Sequence, residues 1–192
     1  MASRALRAWQ TRSRTVLDEL EAAHAVVGGA RRARAFARQQ ILQAYVVLLA
    51  SQFQRFCRDL YTEAVDHLLN QPAYTRLEPV LRASLTANRR LNAGNANPSN
   101  IGADYGRFGL RFWSVVQAAD PRNEMRQRKL EELHRWRNAV AHADFSDPAF
   151  ARRETLRVAE IRAWRRACAA LAVDFDRVLG LHLRSITGTR PW

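Results

Sequence analysis

The chain predicts an all-α fold, a single helical bundle of five to six helices over residues 1–192. Three observations carry that expectation. Only 8 of the 192 residues are glycine and 6 proline, and these are clustered. Apolar residues recur at steps of three and four along most of the chain, and no segment alternates apolar and polar residues over the length of a strand. A hydrophobic fraction of 47% supplies a core, which excludes a disordered basic tail.

Leu6, Trp9, Val16, Leu20 and Val27 mark a first amphipathic helix that Gly28-Gly29 ends. A second starts near Ala33 and runs to about Leu69, with Ile41, Tyr45, Leu48, Leu49, Phe53, Phe56, Leu60, Ala64 and Leu68 keeping one face apolar. Asn70 to Pro72 breaks it, and Pro79 suits the first turn of a short helix reaching about Arg89. Residues 92–104 hold four asparagines, two glycines and a proline, the composition of a loop with helix caps in it. From Ser99 or Asp104 a weak helix carries Phe108, Leu110, Phe112, Trp113 and Val116, and Asp120-Pro121 closes it. A helix from about Asn123 has Met125, Leu130, Leu133, Trp136 and Val140 on its inner face, and Phe145 to Pro148 terminates it. The last helix, from about Arg157 to Ser185, spaces Ile161, Trp164, Cys168, Leu171, Phe175 and Val178 as a narrow seam for antiparallel packing.

The charge balance is 31 basic against 18 acidic residues, a net +13, and Lys129 is the only lysine. The arginines suit phosphate, because a guanidinium offers paired donors where an ammonium offers a point charge. A nucleic-acid partner fits; a codon bias that replaces lysine by arginine is the competing explanation. No apolar run approaches the ~20 residues that cross a bilayer, the longest being Ala44 to Ala50, and the arginine-bearing N-terminus lacks an apolar signal core. The expectation is a cytoplasmic protein with no membrane partner. Cys57 and Cys168, each among apolar neighbours, are expected as buried thiols.

Most catalytic signatures are absent: no glycine-rich phosphate loop, no serine elbow, and no pair of histidines at metal-ligand spacing. No cofactor and no metal are expected, and His24, His67 and His182 are isolated among helical residues. The segment Leu130 to His142 differs. Asn138 and His142, four residues apart, share a helix face, with His134 further back along the same line and Arg137 beside it. The negative end of the helix dipole favours a protonated imidazole at His142. The bland alternative is an arginine and a histidine that merely complement that dipole.

Arg137-Asn138-Ala139-Val140-Ala141-His142 resembles the Arg-polar-x-x-x-His signature of the HEPN superfamily, the higher eukaryote and prokaryote nucleotide-binding domain. Its place near the end of a late helix, between a long second and a long final helix, is similar to the HEPN bundle. The tract Leu91 to Ile101, followed by Tyr105 to Trp113, looks like the asparagine-rich insertion of the RiboL-PSP-HEPN group; the likeness covers about residues 35–185. The resemblance implies a metal-independent endoribonuclease, active as a homodimer, of the kind found in toxin–antitoxin and antiphage systems, with an antitoxin or sensor as a further partner. It makes Arg137 the group that neutralises the scissile phosphate, His142 the proton carrier and Asn138 the residue that orients one of them.

Helix geometry places a limit on that assignment. Arg137 and His142 lie ~7.5 Å apart along the axis and ~140° apart around it, so a composite site across a twofold axis is expected. His134, Arg135, Arg55, Arg58, Asn95, Asn97 and Asn100 are secondary candidates for contacting RNA. Against them stand pairing of Arg55 or Arg58 with Asp59, neutralisation of Arg135 by Glu131, and the use of asparagine in tight turns. The alternative function is a non-catalytic HEPN domain that binds RNA or nucleotide or acts as a dimeric scaffold; a helix-turn-helix DNA binder has only charge and helix content behind it.

Overall fold

The structure, a computed structural model, describes residues 1–27, 32–150 and 153–192. Among them there is no strand, and the fold is all-α as expected. Helix α1 (Arg4–Ala8) passes through a π-helical turn (Trp9–Ser13) into α2 (Arg14–Val26). The long α3 (Arg32–Leu69) is followed by the short helices α4 (Glu78–Thr86), α5 (Arg90–Ala93), α6 (Pro98–Tyr105) and α7 (Phe112–Ala119), then by α8 (Asn123–His142) and α9 (Val158–Thr187). Gly28-Gly29, the expected stop of the first helix, lies outside the described residues.

The described residues hold nine α-helices rather than five or six, for local reasons. The π turn splits the first helix where Ser13 Oγ donates to Gln52 Oε1 on α3 (2.8 Å). The expected helix through Phe108 and Val116 is two helices, because Gly109 takes φ +82° between them. The asparagine-rich tract is also more helical than expected: α5 enters it, and α6 starts inside it at Pro98. Asp104, a candidate helix start in the sequence, instead accepts the Arg90 and Leu91 amides (2.9 and 2.8 Å) and caps α5 from a fully buried position.

The three long helices α3, α8 and α9 pack on one another and α2 lies along α3. Tyr45, Phe53, Leu60, Tyr61, Tyr105, Phe175 and Trp164 fill the space between them, with Phe53 and Phe175 6.0 Å apart at the α3–α9 contact. Cys57 and Cys168 are free and buried, and burial pushes both thiols well up from their ordinary value. No described helix is long and apolar enough to cross a membrane.

A polar anchor sets the start of α8. Buried Asn123 donates to Asp174 Oδ2 on α9 (2.9 Å) and to the Val116 carbonyl (2.8 Å), and Arg126 reaches the same carboxylate (3.2 Å). Arg177 supplies the other oxygen with a donor (2.9 Å). An Asp174→Ala replacement removes a charge-assisted acceptor from three donors and is expected to cost about 2–3 kcal/mol, read as a lowered midpoint in urea unfolding followed by circular dichroism.

Candidate functional site on the outer face of α8

Helix α8 buries Leu130, Leu133, Trp136 and Ala139. Trp136 is the key of that face: Phe150 (4.7 Å between ring centroids), Phe145 (6.1 Å) and Trp164 of α9 (6.4 Å) surround it, and Arg153 lies over the ring (5.1 Å). With Trp136 turned inward, Glu124, Arg128, Arg135, Asn138 and His142 form an exposed stripe on the opposite side. Arg137 lies at its flank, half-buried.

Immediately beyond His142 the chain reverses. Ala143 takes the left-handed conformation (φ 52°), and the amides of Ala143 and Asp144 return to the Val140 and Ala139 carbonyls (3.4 and 3.0 Å). Hydrogen bonding from the Ser146 side chain and from its amide (2.9 Å), and after them the nearby His142, hold the Asp144 carboxyl below the usual carboxylate range. Phe145 and Phe150 then fold the segment back onto Trp136. The histidine therefore sits at an exposed helix end next to a carboxylate.

The asparagine-rich tract meets the signature. Asn138 Oδ1 accepts a bond from Asn95 Nδ2 (2.8 Å) and another from Arg137 (3.1 Å). The Asn95 carbonyl accepts from Asn100 Nδ2 (2.8 Å), and Asn97 Oδ1 accepts the Asn100 amide (2.8 Å) as the N-cap of α6. From α3, Gln54 Nε2 donates to the carbonyls of Leu91 (2.9 Å) and Gly94 (2.8 Å). Gln54 escapes a sequence reading because it is one polar residue beside the apolar stripe of a long helix. Its role is set by a tract 37 to 40 positions away.

Several secondary candidates are relocated by this arrangement. His134 is 3% exposed, with neither ring nitrogen hydrogen-bonded, so it is no RNA contact. Its place on one line with Asn138 and His142 does not expose it, because the asparagine-rich tract closes over it with Ala96. Asn97 and Asn100 hold the loop with their side chains, the turn-forming alternative, and Asn92 Oδ1 accepts two bonds from Arg89 (3.0 and 2.7 Å). Arg55 pairs with Asp59 (3.6 Å) on the exposed side of α3. Arg58, one turn from Gln54, is exposed, as is Arg135, and neither has an ion pair among the described residues. His24 is buried, His67 meets Thr187 (3.2 Å) and His182 meets the Phe108 carbonyl (2.7 Å).

Burial pushes His134 down to about 4, the Arg137 charge adds to this, and the Ala96 backbone opposes it. The clefts bordered by His67 and Trp192, by His24 and Leu156, and by Gln117 and Glu131 do not include Arg137, Asn138 or His142 in their walls. Among the described residues no three His, Cys, Asp or Glu side chains are grouped to hold a metal ion. Comparisons with protein-family models, curated proteins and solved structures find no match to this chain.

Two measurements check this description. A histidine whose folded pKa lies below its unfolded 6.5 supports the fold fully above pH 6.5. That support is lost as pH falls from 6.5 through about 4, because the unfolded chain then binds the extra proton. The expected loss is on the order of 3 kcal/mol, read as the difference in pH-dependent stability between the wild type and His134→Leu, with the variant lacking this part of the slope. Separately, Ala143→Gly relieves the left-handed strain and is expected to raise stability by about 1 kcal/mol in chemical denaturation.

Proposed function

We propose that the protein is a metal-independent endoribonuclease of the HEPN type, with a composite site formed by the α8 helices of two copies. The observation that carries this reading is the presentation of the signature: Asn138 and His142 exposed on one stripe, with Arg137 at its flank and bonded to Asn138. These are the residue types that RNA cleavage by an internal nucleophile requires, displayed on a surface that a second copy can cover.

In that chemistry the ribose 2′-hydroxyl attacks the adjacent phosphorus and the bond to the 5′ oxygen breaks, leaving a 2′,3′-cyclic phosphate and a 5′-hydroxyl. His142 takes the 2′ proton or returns one to the leaving oxygen. Arg137 stabilises the added negative charge on the pentacoordinate phosphorus, and Asn138 donates to one of its oxygens. A straight helix turns Arg137 and His142 away from one another, whereas a twofold axis brings each arginine toward the partner's histidine. The excess of arginine supplies long-range attraction to RNA. An RNA target implies a cytoplasmic site of action, and a toxin or antiphage role implies an antitoxin or sensor that restrains the enzyme.

Replacing Arg137 or His142 with alanine is expected to lower cleavage of single-stranded RNA by about 10²–10⁴-fold, with helical content by circular dichroism unchanged. A 2′-deoxy sugar at the cut position should block cleavage, and EDTA should leave the rate as it is; a requirement for magnesium would sink the mechanism. Refolding the two inactive variants together gives a sharper test. Half of the dimers formed at random are mixed, and each mixed dimer holds one intact site of two, so about a quarter of wild-type activity should return. If the wild type binds RNA with steep salt dependence yet cleaves nothing, the non-catalytic binding reading replaces this one.

A further inference from the structure

We infer that Asn95, in the asparagine-rich tract, is a positioning residue: it holds the Asn138 side-chain amide with its oxygen inward and its Nδ2 hydrogens toward the RNA phosphate. The inference rests on the endoribonuclease reading and adds to it a task for a tract that no part of that mechanism has used.

The donor and acceptor inventory decides the orientation of Asn138. Arg137 is a donor only, so the atom of Asn138 facing it must be the oxygen. The same oxygen faces the Asn95 side chain, which must therefore present Nδ2 and not Oδ1. Two bonds occupy the two lone pairs of Asn138 Oδ1. Its Nδ2 hydrogens have no acceptor among the described residues and lie on the exposed stripe with His142.

The Arg137 bond is the weaker hold on Asn138, because it comes from a long side chain whose other donors must also turn to the scissile phosphate. Asn95 is half-buried, and its backbone is held by Asn100 Nδ2 while Gln54 of α3 holds the preceding residue. Gly94 fits this anchoring closely: a Cβ there would stand 2.9 Å from Asn100 Nδ2 and 3.3 Å from the Arg90 carbonyl. Were Asn138 to rotate by half a turn, its oxygen would face an anionic phosphate and its NH₂ would oppose the Asn95 donor. Asn95 thus excludes the unproductive rotamer without touching the substrate.

The test is a double-mutant cycle on RNA cleavage with steady-state constants for wild type, Asn95→Ala, Asn138→Ala and the double variant, alongside Asn95→Asp. Expected is a loss of about 10-fold in kcat for Asn95→Ala with KM unchanged, and no additional loss when the same change is made in Asn138→Ala. Asn95→Asp keeps the shape but puts an anionic acceptor against Asn138 Oδ1 in place of the donor, so it should lose at least as much as the alanine variant. Losses that multiply in the double variant, or a rise in KM alone, would overturn the inference and make Asn95 an RNA contact. The side-chain amide resonances of Asn138, identified by their absence in Asn138→Ala, provide a readout that needs no activity. They should shift in Asn95→Asp, and unshifted resonances would also overturn the inference. Wild-type protein no more active than His142→Ala defeats the endoribonuclease reading instead, and the resonances still decide the Asn95–Asn138 bond.

Discussion

The rotational setting of α8 about its own axis governs the rest of the candidate site. Trp136 fixes that setting, because an indole enclosed by Phe145, Phe150 and Trp164 cannot turn outward without opening the contact with α9. The Asn123–Asp174 bond holds the other end of the same helix. Once both ends are set, a step of 100° per residue leaves no freedom. Asn138 and His142 face out and Arg137 is half-buried; His134, turned as far from Trp136 as Asn138 is, is buried because the asparagine-rich tract closes over it with Ala96. The chemistry available on the surface is thus a consequence of packing on the opposite side of the helix.

Cover by the asparagine-rich tract carries a cost at His134. A buried imidazole with little beyond the Ala96 backbone to receive its polar atoms is unfavourable when charged, and the site tolerates it by keeping the ring neutral. The ring lies near Ala96, a fully buried residue of the asparagine-rich tract. The tract covers His134 with one residue and grips Asn138 with the residue before it. Its position over α8 is determined from below by Gln54 and from the side by the Asn97 cap, so the loop has little independence from the bundle.

The long helices were legible in the sequence because apolar spacing at three and four is a property of each segment alone. Helix α3 ends at Leu69 and α8 starts at Asn123 as the pattern and the breakers predict. The short helices were less so: α5 depends on Asp104 reaching back across the tract to the Arg90 and Leu91 amides, and a cap is identified by what its oxygen reaches and not by its type. At the site, the facing of Asn138 and His142 followed from periodicity over four residues. The burial of His134 required the cover of the asparagine-rich tract, and the Asn95–Asn138 contact spans 43 positions with no local signal.

One consequence of an exposed signature concerns control. Arg137 in the single chain is bonded to Asn138, and His142 stands beside a carboxylate, so neither is committed to the other. In the proposed dimer the two groups meet when a second copy brings a matching pair, and two chains that each carry a net charge of +13 repel one another. Polyanionic RNA lying between them offsets that repulsion. For a dimer of the proposed kind, substrate and assembly are therefore coupled: RNA that occupies the shared groove stabilises the pairing that creates the site, and the coupling weakens as salt screens both interactions. A binding partner that covers the Arg135–Asn138–His142 stripe would act on the same equilibrium from the other side, blocking assembly and catalysis with one contact.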